Sequence, residues 1–292
     1  MRRLDQLEQI RLACAILTSV LLLWLDMASY PEAGFTYQVI ILVPFVVLLG
    51  LPHGCLDVEM ARSVFALKKI SQLAMFLIGY LLLAFCVVGL WYVVPVMTIL
   101  AFLAYSAIHF SSDWAHHPSM VGRWSAGTAI VGLPCAFHRP IAEAIFAVLV
   151  PAEWAGHIVA IAGGAALLAL PVALLTFLFM RGITWLEYAE FLWLASLAFL
   201  VSPLMYFAIY FCLSHSPKHY RQTIKNLKFT PMQAAQKAFP IWLITVIGCC
   251  SILFGLDQFG TEQLLQLVFI TLAALTVPHM IVSARFDSTL RR

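Results

Sequence analysis

The chain has 292 residues, of which 63% are hydrophobic and 11% charged, far below the roughly one-quarter charged residues of a soluble domain. That balance excludes a water-soluble globular protein and reads as an all-α, polytopic transmembrane helical bundle, a single integral membrane domain over residues 1–292. The formal net charge of +3 sits in short basic clusters between apolar runs, so it reports membrane topology and excludes a nucleic-acid footprint.

A spanning helix needs roughly 20 largely apolar residues, and on that rule spans are expected near 12–30, 35–53, 72–94, 95–112, 155–180, 185–214, 239–256 and 262–282. The first follows Arg2 and Arg3 but runs directly into Asp26 without a small-residue cleavage pattern, so it reads as a retained span and not a signal peptide. Region 124–152 holds two short apolar stretches around His138-Arg139-Pro140, suited to tilted spans or a re-entrant segment. Arg2, Arg3 and Arg11, then Arg62, Lys68 and Lys69, then Lys218, Arg221, Lys225, Lys228 and Lys237, then Arg285, Arg291 and Arg292 mark cytoplasmic segments. An even number of crossings satisfies all of them: about 8–10 spans, either ten segments or eight with a re-entrant hairpin, both termini in the cytoplasm of a cell-membrane protein. The seven cysteines form no C-x-x-C pair and read as buried small hydrophobes.

This parity brings the span ends at His53, His109, His215 and His279 to one face. No repeat of 20–50 residues is evident, although Leu51-Pro52-His53 and Val277-Pro278-His279 look alike. In Ser214-His215-Ser216-Pro217-Lys218-His219-Tyr220 the two histidines lie four residues apart, one turn on a helix, where they can bind one metal ion together. Pro217 between them predicts a kink or a restart of the helix.

Two further stretches, His53-Gly54-Cys55-Leu56-Asp57 and His109-Phe110-Ser111-Ser112-Asp113, repeat one spacing, His at i and Asp at i+4. On a helix each carboxylate would lie one turn from its imidazole, accept the ring's other N–H and make the metal-facing nitrogen more basic. Ionisable groups inside a membrane are costly, which favours a working site over polar anchors at the interface, although each pair alone allows both. An all-imidazole set suits iron, zinc or copper. His279 reads as a fifth ligand, a donor behind the ligands, or an anchor. His116 and His117 precede Pro118 and read as solvated, and His138 and His157 as interfacial. Most aromatic residues would face lipid, but Tyr105, Phe110, Trp114, Tyr206, Tyr210 and Phe211 lie next to the histidines and could wall an apolar cavity suited to a polyene.

In order and spacing, Pro52-His53-Gly54 with Asp57, His109-Phe110 with Asp113, and His215 with His219 resemble the Brp/Blh family, the membrane-embedded β-carotene 15,15′-dioxygenases found beside microbial rhodopsins. The resemblance covers nearly the whole chain. It implies that His53, His109, His215 and His219 bind catalytic Fe(II), and that O2 cleaves the central double bond of β-carotene into two retinals that serve as rhodopsin chromophores. Ser111 stands where the family commonly has glycine and Lys218 where it has arginine, departures that bear on the substrate tunnel and not on the metal ligands. Three other readings remain: a di-iron desaturase or hydroxylase, which needs about eight histidine ligands where this chain has one His-x3-His; a metal-ion or proton transporter, whose site belongs near the bilayer midplane; and a non-catalytic opsin partner.

Overall fold

The computed structural model describes residues 2–29, 36–180, 184–255 and 260–290, with side chains from residue 8 onward except at 28 and 29. Arg291 and Arg292, used above to orient the C-terminus, lie outside the described residues, as do the side chains of Arg2 and Arg3. Among the described residues the chain is helical throughout, without strands. The α-helices are α1 (Arg2–Ser29), α2 (Thr36–Phe45), α3 (Asp57–Phe65), α4 (Ile70–Val93), α5 (Pro95–Phe110), α6 (Met120–Phe137), α7 (Arg139–Leu149), α8 (Ala152–Phe179), α9 (Trp185–Leu200), α10 (Pro203–Phe207), α11 (Ser216–Leu227), α12 (Pro231–Phe254) and α13 (Thr261–Leu290).

Among the described residues, seven helical stretches are long and apolar enough to cross a membrane: Glu8–Met27, Thr36–Phe65, Ile70–Val93, Pro95–Trp114, Ala152–Phe179, Pro231–Phe254 and Thr261–Leu290. The pair α6 and α7, bent by 105° at His138, brings the number to eight if it counts as one broken span. Apolar side chains are turned outward: only 6% of the apolar stretch of α12 and 11% of that of α4 are buried. An outward hydrophobic shell is stable against lipid and not against water, so the chain is a polytopic membrane protein.

The expected single span over 185–214 is corrected. There α9 ends at Leu200, Val201 is extended, and α10 restarts at Pro203. Proline disfavours a helical residue before it, and Ser202 in that position is held by Asp26, which accepts the Ser202 backbone N–H at 2.8 Å and its hydroxyl at 2.8 Å. Tyr37 also donates to Asp26. From α10 the chain widens into a π-helix, Ala208–His215, and α11 restarts at Ser216 with Pro217 in its first turn, the restart the sequence predicts.

The chain divides into two compact units, one formed by Met1–Leu42 with Ile99–His215, the other by Val43–Thr98 with Ser216–Arg292. In the first, α6 packs on α5 and α8 by close backbone approach. A Cβ on Gly127 would lie 2.2 Å from the Ala107 carbonyl oxygen, and one on Gly132 would lie 2.3 Å from that of Ala162; glycine at these two positions lets the helices touch, a packing mode suited to membranes. Gly127 thereby seats α5 two residues before His109. In the same unit α1 grips the segment that ends at His215 from both sides, through Asp26 on Ser202 and through Arg11. Arg11 donates to Glu190 at 3.0 Å, and Glu190 accepts the Ser214 hydroxyl at 2.6 Å. In the second unit Met60 and Ala61 of α3 pack against Val282 and Phe286 of α13. Cys55 and Leu56 pack against Ala234 and Ala238 of α12.

Candidate metal centre

His53 and His109 lie where regular helix breaks. In the first unit His109 is the penultimate residue of α5, and a 3-10 turn, Ser111–Trp114, follows it. In the second, a π-helical turn, Val46–Gly50, precedes a 3-10 helix, Leu51–Leu56, that carries His53 and ends at Asp57. Such departures from α geometry are uncommon and recur at functional sites.

They also change which groups meet. A 3-10 helix turns about 120° per residue, so four residues bring a side chain onto a different face and not back above the first. Each aspartate takes a histidine partner from a distant segment. In the first unit Nδ1–H of His215 donates to Asp113 at 2.9 Å, and Tyr210 donates its hydroxyl to Asp113 at 2.7 Å. In the second unit Nδ1–H of His279 donates to Asp57 at 2.7 Å, and Tyr80 donates its hydroxyl to Asp57 at 2.7 Å. His53 uses Nδ1 differently, toward the Gly50 carbonyl at 2.5 Å and the Ser216 hydroxyl at 3.1 Å. In all three rings an acceptor fixes the proton on Nδ1, which leaves the lone pair on Nε2. His219 faces the Ser283 hydroxyl with Nε2 at 3.3 Å.

Within each unit imidazoles stand close together. In the first unit the centroids of His109 and His215 are 4.9 Å apart. In the second, His53, His219 and His279 stand 5.4, 5.2 and 5.0 Å apart pairwise. With a metal–nitrogen bond of about 2.1 Å, two imidazoles on one ion have centroids on the order of 5 Å apart. Buried imidazoles at that spacing, their Nδ1 atoms facing carboxylates or a carbonyl, fit a divalent transition metal. His53, His109, His215 and His279 are all at most 9% exposed.

The aromatic residues expected to wall a cavity divide. Phe110, Tyr210 and Phe211 surround His215: the Phe110 ring is 4.7 Å away edge-on and that of Phe211 lies parallel at 5.9 Å. Phe110 also meets Tyr210 at 4.8 Å, and Tyr206 is buried one turn before Tyr210. Trp114 instead packs with Phe177 and Phe191, and Tyr105 meets Phe102 on α5. An apolar groove of about 330 Å³ runs between α5, α6 and α8, lined by Leu103, Ile108, Thr128 and Ile161 among others and by none of those six aromatic residues.

His116 is exposed and pairs with Glu187 at 3.1 Å. His117, expected in solvent, is 2% exposed, its ring over Gly122 and beside Phe177. Burial lowers its pKa, and the charge of Arg123 adds to the effect. Tyr80, Ser216 and Ser283 went unnoticed in the sequence. Their only signal is a common residue type at a position that matters through long-range folding.

The family described as β-carotene 15,15′-dioxygenase matches residues 45–287. A β-carotene 15,15′-dioxygenase of uncultured marine bacterium 66A03 is 33% identical over 256 residues, 81% of this chain and 90% of that protein. No solved structure matches the chain. Membrane helices, buried imidazoles backed by aspartates, and these two matches agree: the chain belongs to the β-carotene 15,15′-dioxygenase family, enzymes of carotenoid cleavage.

Proposed function

We propose that this chain cleaves β-carotene with O2 at the central 15,15′ double bond, giving two molecules of all-trans-retinal, and that His53, His109, His215 and His219 hold one Fe(II) for the reaction. One carbon–carbon double bond and one O2 are consumed, and each retinal keeps one oxygen atom. The observation that carries the reading is the Tyr210–Asp113–His215 arrangement, a buried imidazole aimed by a carboxylate, in a chain of this family. His215 and His219 lie four residues apart, on either side of the helix restart at Ser216. Fe(II), when bound, would supply the activation of O2.

The protein's own part is to bind, orient and keep dry. Asp113 holds the Nδ1 proton of His215, and Asp57 with Tyr80 does the same for His279, so that the imidazoles present lone pairs. Phe110, Tyr210 and Phe211 exclude water around His215 and offer ring faces to a flat polyene. A symmetric substrate held by its middle gives one product twice, so the choice of bond follows from position. Substrate and products are lipid-soluble, which suits an enzyme of the cell membrane with cytoplasmic termini, supplying retinal to a microbial rhodopsin.

The test is expression in bacteria that make β-carotene, followed by pigment extraction. Loss of β-carotene with retinal as the carbonyl product, only under oxygen, is expected. Hydroxylated or desaturated carotenoids would point to the desaturase chemistry, and unequal apocarotenals to off-centre cleavage; either overturns the proposal.

A further inference from the structure

Each compact unit contains the same three-residue device. In one, Asp113 accepts from His215 Nδ1 and from the Tyr210 hydroxyl at 2.9 and 2.7 Å. In the other, Asp57 accepts from His279 Nδ1 and from the Tyr80 hydroxyl at 2.7 and 2.7 Å. The correspondence extends along the chain. Each aspartate follows a buried histidine by four residues, His109 and His53 respectively, and each lies at or just beyond a 3-10 turn that follows or contains that histidine. On this matching, His279 stands in its unit where His215 stands in its own.

We propose that His279 bonds the metal through Nε2, as the counterpart of His215. The inference rests on the metal centre proposed above. Three physical points support it. First, a carboxylate buried within a membrane-spanning helix is expensive, and Asp57 is 3% exposed inside the stretch Thr36–Phe65. A histidine needed only to anchor α13 is served by a carbonyl or hydroxyl acceptor, whereas a carboxylate on Nδ1–H raises the donor strength of Nε2, which matters when that atom binds a metal. Second, the His279 ring lies 5.2 Å from that of His53 and 5.0 Å from that of His219, the same spacing as between His109 and His215 at 4.9 Å. Third, His279 is oriented by a charged partner, the Asp57 carboxylate, at 2.7 Å.

The test uses the purified full-length chain loaded with Fe(II) and, separately, with Co(II), whose visible bands report ligand geometry without turnover. His279→Ala should weaken metal binding at least tenfold, as should His215→Ala, and should shift the Co(II) bands. Tyr80→Phe keeps the aspartate and the histidine in place. It should weaken binding a few-fold, matching Tyr210→Phe, and lower the thermal midpoint of the metal-free chain no more than Tyr210→Phe does. X-ray absorption of the Fe(II)-loaded wild-type chain needs no variant and should count five imidazoles. Four imidazoles, or a His279→Ala chain with wild-type affinity and Co(II) spectrum while His109→Ala loses the metal, would overturn the assignment. A wild-type chain that binds neither metal would instead bring down the metal centre itself.

Discussion

Asp113 and His215 are 102 residues apart in sequence and joined by a hydrogen bond of 2.9 Å from Nδ1 to the carboxylate. With the Tyr210 hydroxyl on the same carboxylate at 2.7 Å, this contact fixes the ring and its tautomer at once. Asp113→Asn removes the charge and leaves a poorer acceptor. Metal affinity should fall by about 10–100-fold, the range for a group that orients a ligand, and direct metal titration of the purified chain measures it. Unchanged affinity would take Asp113 out of the support of the centre.

Arg11 on α1 and Glu190 on α9 form a pair at 3.0 Å, with Glu190 3% exposed and bonded to the hydroxyl of Ser214, the residue before His215. Arg11→Leu strands a buried carboxylate and should cost about 3 kcal/mol. Arg11→Leu with Glu190→Gln should recover part of that loss, and Ser214→Ala alone should cost about 1 kcal/mol. Unfolding by denaturant in detergent micelles reads all three. An Arg11→Leu chain as stable as wild type would show that α1 does not brace this segment.

His117 sits in the turn between α5 and α6, buried, with its pKa below the ordinary 6.5. The unfolded chain takes up a proton at this ring near pH 6.5, before the folded chain does, so folding loses stability as pH falls from about 6.5 toward the folded value. The contribution is absent above that window. His117→Leu should flatten the decline of thermal midpoint between about pH 7 and pH 5 relative to wild type; an equal slope in both chains would contradict the assignment. Gly122→Ala should be destabilising on its own, because its Cβ would lie 2.1 Å from the His117 ring.

By the positive-inside rule, the basic run of α11 and the turn after it, with Lys218, Arg221, Lys225 and Lys228, is expected to face the cytoplasm. A cysteine at position 225 should resist a membrane-impermeant thiol reagent in intact cells, and one at Val94, between α4 and α5, should react. Both would be introduced where the native cysteines have been replaced by serine or alanine. The reverse pattern would invert the orientation.

Composition and the lengths of apolar runs were enough to establish a polytopic helical membrane protein, because spanning a bilayer demands roughly 20 apolar residues whatever the neighbours are. The ends of those runs also drew notice to His53, His109, His215 and His279, and the His-x3-His spacing to His219, while the choice of four ligands rested on the family resemblance. Which groups serve them was not legible. The repeated His-x3-Asp spacing suggested that each aspartate holds its own histidine, an inference that assumes α-helical geometry. The tertiary structure gives 3-10 turns at both places and hands Asp113 to His215 and Asp57 to His279. It likewise breaks the apparent span over 185–214 at Ser202, where Asp26 of α1 takes the backbone donor before Pro203. Local spacing predicts contacts only while the helix type holds. Where proline, π and 3-10 turns change the angle per residue, partners are chosen by segments 100 or more residues away, and only the folded chain decides them.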